Sequence, residues 1–132
     1  MKTEAAVWII SLLLLCSCSV DNSEKSIEKI NVDFVWDLKH PQRSPEVHLG
    51  NTPKGTDRLQ IEFIDATNEW EHGGGNIPFD GSGTIQAGAL KGFKGISSMW
   101  GIPKIELTVA ALNKNGQVIG KGNIIKSPPD HI

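Results

Sequence analysis

Hydrophobic and polar side chains alternate most regularly in "DRLQIEFIDAT" (residues 57–67). Leu59, Ile61 and Phe63 share one parity, and Arg58, Gln60 and Glu62 the other. A period of two predicts a half-buried β-strand with its apolar parity on a core. Asp65 continues the apolar parity, so its carboxylate needs a hydrogen bond, an ion pair or the mouth of a pocket. "IPKIELTVAALNKNGQVIGKG" (residues 102–122) repeats the pattern at Ile105, Leu107, Val109 and Ala111. It predicts a β-hairpin that turns at "NKNG", where Gly116 can take a positive φ, and returns from Val118. Ile30, Val32 and Phe34 mark a third strand within residues 27–38.

The segments between these runs lack periodicity. Residues 39–56 carry Pro41, Pro45, Pro53 and Gly55, and read as a loop with a short extended piece over 46–49. Residues 69–101 are Gly-rich. "TIQAGALKGF" (residues 84–93) has room for one helical turn, which Gly88 and Gly92 keep short. Residues 127–132 read as a frayed tail. No long helix pattern is present. The expected fold class is all-β and mainly antiparallel, either a β-sandwich or a small mixed sheet, with short helical turns and long Gly-rich loops.

The start of the chain follows different rules. In "MKTEAAVWIISLLLLCSC", Lys2 precedes an apolar run from Ala5 to Leu15. That run falls short of the ~20 residues that span a bilayer and has the length of a signal-peptide core. "LCSC" (residues 15–18) resembles a bacterial lipobox with Ser17 before the cysteine. The expectation is a lipoprotein signal peptide over residues 1–17, a lipidated Cys18, a polar tether over 18–26 and one domain over 27–132. Ser19 after that cysteine favours the outer membrane, facing the periplasm, in a Gram-negative cell. The alternative is an ordinary secretory signal with Cys16 and Cys18 incidental. Cys16 and Cys18 are the only cysteines, so the domain has no disulfide to draw on.

The 132 residues carry 13 Lys and Arg against 15 Asp and Glu, a net charge of −2. A near-balanced chain lacks the basic excess of a nucleic-acid-binding surface. The histidines, His40, His48, His72 and His131, include no i,i+2 or i,i+4 pair, so neither a metal site nor a cofactor is expected.

The chemistry concentrates in "EWEHGGGNIPFDGSG" (residues 69–83). "HGGG" is the form of an esterase oxyanion loop, but neither Ser82 nor Ser97–Ser98 has the two flanking glycines of a nucleophile elbow. A hydrolase using His72 as base and Asp65 to orient it therefore has no nucleophile, and no catalytic residue is assigned. An anion pocket fits better. Histidine supplies a titratable donor, and Gly73, Gly74 and Gly75 expose backbone N–H groups. Asp65 would set the imidazole tautomer. The competing reading has His72 opening a mobile loop and Asp65 capping a turn.

Three segments in order resemble the phosphatidylethanolamine-binding protein family, in its short bacterial Raf-kinase-inhibitor-like branch. They are "SPEVHLGNTPKGTDRLQIEFID" (residues 44–65), "HGGGNIP" (residues 72–78) and "DGSGTIQAGALKGFKG" (residues 80–95). "IELTVAAL" sits where that family has an alternating strand ending in A-L. The resemblance covers about residues 44–112. It implies a β-sandwich-like fold, no catalysis, and a small pocket for an anion such as phosphate or a phospholipid head group. It also implies a possible protein partner, since some members inhibit kinases or proteases. By position it carries Asp65, His72, Ser44 and Pro45 into the pocket, with Gly73 and Gly74 beside them. Two departures stand out. "ATNE" follows Asp65 where the family has a proline and a second aspartate, and Pro103 stands where a second pocket histidine is expected. Met99 and Trp100 enter that loop instead. The missing histidine and the change after Asp65 keep open a second reading, an envelope scaffold for protein contacts whose pocket has decayed.

Overall fold

The computed structural model describes residues 26–96 and 101–129. Eight strands follow one another: β1 (Glu28–Lys29), β2 (Asn31–Phe34), β3 (Val47–Gly50), β4 (Arg58–Asp65), β5 (Glu71–Pro78), β6 (Thr84–Ile85), β7 (Ile105–Leu112) and β8 (Val118–Lys126). They form a five-stranded sheet in the order β1-β8-β7-β4-β5 and a three-stranded sheet in the order β2-β3-β6. All pairings are antiparallel except β1 with β8. The all-β class read from the sequence is the class observed.

β4 and β7 alternate as their sequences require. Leu59, Ile61, Phe63, Ile105, Leu107, Val109 and Ala111 are buried, and they meet Phe34, Val47 and Ile85 from the smaller sheet in one core. Three aromatic contacts cross that core edge to face. Phe34 meets Trp36 at 5.2 Å and Phe63 at 5.7 Å, and Phe63 meets Phe93 at 5.2 Å. Lys126 fastens the sheets at one end. Its ammonium donates to the Phe34 carbonyl at 2.5 Å and to Asp33 at 3.0 Å.

Three segments depart from the expectation. The strand expected across residues 27–38 is two strands, because the chain passes from one sheet to the other at the buried Ile30. Two glycines of β8 permit the crossing. A side chain at Gly122 would run into the Ile30 carbonyl, and one at Gly120 would lie 2.7 Å from Pro53. The stretch "EHGGGNIP", expected as loop, is the full eight-residue edge strand β5. The helical turn expected near residues 84–93 is instead a pair of hydrogen-bonded turns, Ala89 N–H to Gln86 O at 3.1 Å and Phe93 N–H to Leu90 O at 3.2 Å.

Candidate functional site

β4 and β5 pair regularly from Arg58↔Pro78 to Phe63↔Gly73, and then Ile64 pairs with Glu71. His72 is the extra residue of a β-bulge. Regular alternation from Asn76 and Gly74 would place it on the solvent face with Gln60 and Glu62. A bulge re-aims a side chain, and His72 is turned inward, only 8% exposed.

Two loops meet over it. Residues 86–96 lie along the open edge of β5, where the Lys94 N–H donates to the His72 carbonyl at 2.8 Å. This contact is why the glycines are needed. Gly73 has φ +82, and a side chain on it would run into the Gly92 carbonyl. One on Gly92 would lie 2.7 Å from the Gly74 carbonyl. Main chain packs on main chain here, at a distance no Cβ allows. The same loop ties to residues 37–45. The Ser44 hydroxyl accepts from Leu90 N–H at 3.1 Å, the Ser44 carbonyl accepts from Gly88 N–H at 2.8 Å, and the Pro41 carbonyl accepts from Ile96 N–H at 2.9 Å. Pro45 is buried beside Ser44.

The imidazole of His72 has one committed nitrogen. Nδ1 lies 2.9 Å from the Gly95 carbonyl, an acceptor only, so Nδ1 carries the hydrogen. In the neutral ring that leaves the lone pair on Nε2, which is buried and has no hydrogen-bond partner among the described residues. Leaving a buried acceptor unpaired costs about 1–3 kcal/mol. The indole N–H of Trp36 is buried and unpartnered in the same way. Trp36 belongs to the aromatic row that runs through Phe34 and Phe63 to Phe93, one residue before Lys94. Nothing in the sequence singled it out. It reads there as one more apolar residue of a strand.

Of the six expected site residues, Ser44, His72, Gly73 and Gly74 touch the loop of residues 86–96, and Pro45 adjoins Ser44. Asp65 stands apart. Its Oδ1 accepts from Thr67 N–H at 2.8 Å and Asn68 N–H at 3.3 Å, closing the turn between β4 and β5. No hydrogen bond or ion pair joins it to His72. The expected Asp65–His72 pair is therefore corrected: a backbone carbonyl, not a carboxylate, sets the tautomer. At Gly73 and Gly74 the direction a side chain would take is filled, by the Gly92 carbonyl and by the Ile61 carbonyl. Trp70 is 55% exposed. Cys16, Cys18, Met99, Trp100 and His131 lie outside the described residues. Among the described residues, no three of His, Cys, Asp and Glu gather as a metal site would require.

No family model, curated protein or solved structure matches the chain.

Proposed function

We propose that this chain is a non-catalytic binding domain of the cell envelope, held to the membrane by a lipid on Cys18. It is of the phosphatidylethanolamine-binding type, and its binding group is His72. The observation that carries the reading is the unpartnered Nε2 of an imidazole more than nine-tenths buried and fixed in orientation by the Gly95 carbonyl. A group that donates a hydrogen bond satisfies that nitrogen. A phosphate monoester bearing one proton does so, as does a carboxylic acid. On a protonated ring the same nitrogen donates to the anion. With Asp65 spent on its turn, no carboxylate among the described residues lies within 4 Å of the imidazole to repel a negative ligand. Binding is favoured over hydrolysis because Nε2 touches no hydroxyl, thiol or carboxylate among the described residues that it could activate.

Affinities for inorganic phosphate, acetate and phosphoethanolamine test this. His72→Gln is expected to weaken the preferred ligand by ~10-fold or more, and Asp65→Asn, which keeps the turn acceptor, by less than ~3-fold. Equal affinity in His72→Gln and the parent chain would refute it. The second reading, a scaffold for protein contacts, is favoured by the exposed Trp70. Crosslinking in cells would support it if one specific partner persists in the Asp65→Ala, His72→Ala double variant.

A further inference from the structure

The outer face of the five-stranded sheet forms a trough of about 870 Å³, and His72 is not among the residues that line it. Strand register arranges its side chains in rows. Asn76, Gln60, Ala110, Lys121 and Lys29 stand opposite one another across β5, β4, β7, β8 and β1. Gly74, Glu62, Thr108 and Asn123 make the next row, about 7 Å along the strands. Gly74, Thr108 and Ala110 are small and form the floor, while longer side chains on either side form the walls.

An antiparallel sheet ordinarily shows a polar face to water. Three features make this face more specific. It is hollow, so a second copy of the same concave surface would leave a void between the two. Its charges cancel, with Lys29 and Lys121 against Glu62 and Glu106. Its polar groups are also uncommitted: apart from Asn123 donating to Glu106 at 3.0 Å, these side chains make no hydrogen bond or ion pair with one another. A charge-balanced trough is a poor receptor for nucleic acid or an acidic polymer, which need a basic excess. None of the lining residues is aromatic, and only Ile61 and Val109 have branched aliphatic side chains, both on the core parity. That disfavours acyl chains and apolar peptides. Amides, carboxylates, ammonium groups and a hydroxyl match a neutral ligand dense in groups that both donate and accept, and sugar hydroxyls are such groups.

We propose that this trough binds a neutral linear oligosaccharide. Gln60, Asn76 and Asn123 would exchange hydrogen bonds with its hydroxyl or acetamido groups, and Glu62 would accept from a hydroxyl. The five-residue row spans four inter-strand steps of about 4.8 Å, about 19 Å in all. That length suits several linked sugars rather than one.

Chitotetraose and cellotetraose are the probes, added to isotope-labelled full chain in amine-oxide micelles, which carry neither sugar nor phosphate. The side-chain amide resonances of Gln60, Asn76 and Asn123 are expected to move with one or both sugars. Glu62→Ala and Gln60→Ala, both at exposed positions, are expected to weaken that binding by ~10-fold or more. No movement up to about 10 mM of either sugar overturns the proposal. So does movement of these resonances on raising protein concentration alone, which would mark a second copy as the occupant. So does movement with a mixed-charge peptide and with neither sugar.

Discussion

Residue identity is most constrained where the main chain packs on itself. Gly73 combines a positive φ with a side-chain direction blocked by the Gly92 carbonyl. Gly73→Ala is therefore expected to cost at least ~2 kcal/mol, read as a lowered urea midpoint at unchanged slope. Glu69 is the opposite case. It holds φ 64 in the turn closed by its own N–H to the Asp65 carbonyl. Glycine adopts that φ without penalty, so Glu69→Gly is expected to stabilise by ~1 kcal/mol in the same assay. Asp33 gives a pH dependence. Desolvation pushes its carboxyl up, but the Lys126 hydrogen bond and charge, the Phe34 N–H and His48 together hold it below the usual range. A depressed folded value stabilises the fold above the unfolded value, near pH 4. That contribution is lost as pH falls through the folded one. The Tm of Asp33→Asn should therefore fall less steeply below about pH 4 than that of the parent chain. The difference should be small, because the side chain is 57% exposed and screened by solvent.

At the level of elements, the loop of residues 86–96 protects the edge of β5 and orients His72 at once. Ser44 is its clasp. Ser44→Ala removes the acceptor for the Leu90 N–H and is expected to cost ~1–2 kcal/mol, with amide hydrogen exchange accelerating in residues 86–96 before it does in β7. The sequence disclosed elements in proportion to how strictly they alternate. β4 and β7 were legible because one face is core and the other solvent. β5 was not, because the glycines that admit Gly92 carry no hydrophobic signal. The break at Ile30 was equally hidden, since it depends on Gly120 and Gly122 far along the chain. His72 drew attention through the glycine run that follows it, and Ser44 through a motif resemblance. Their common attachment to one loop was not, because it rests on backbone hydrogen bonds between distant segments. The bulge that buries His72 is a matter of register, which alternation alone does not specify.

For the whole molecule, two sheets share one core, and the two proposals concern different parts of it. The loop of residues 86–96 holds a buried imidazole through Lys94 and Gly95, and a hollow polar face lies on the outside of the larger sheet. A lipid on Cys18, as proposed, would hold both near a membrane. It predicts a mass increase on Cys18 after processing that is absent in Cys18→Ser, checked by intact-mass analysis of the membrane fraction. The central claim is that Nε2 of His72 is a free acceptor held for a ligand. The most direct measurement is the ¹⁵N shift of that nitrogen as phosphate, acetate and phosphoethanolamine are added in turn. The account predicts a lone-pair-type Nε2 signal in the free protein and a large saturable shift with at least one ligand, with Nδ1 little changed. A hydrogen found on Nε2 without ligand, or no shift with any of the three, would contradict it.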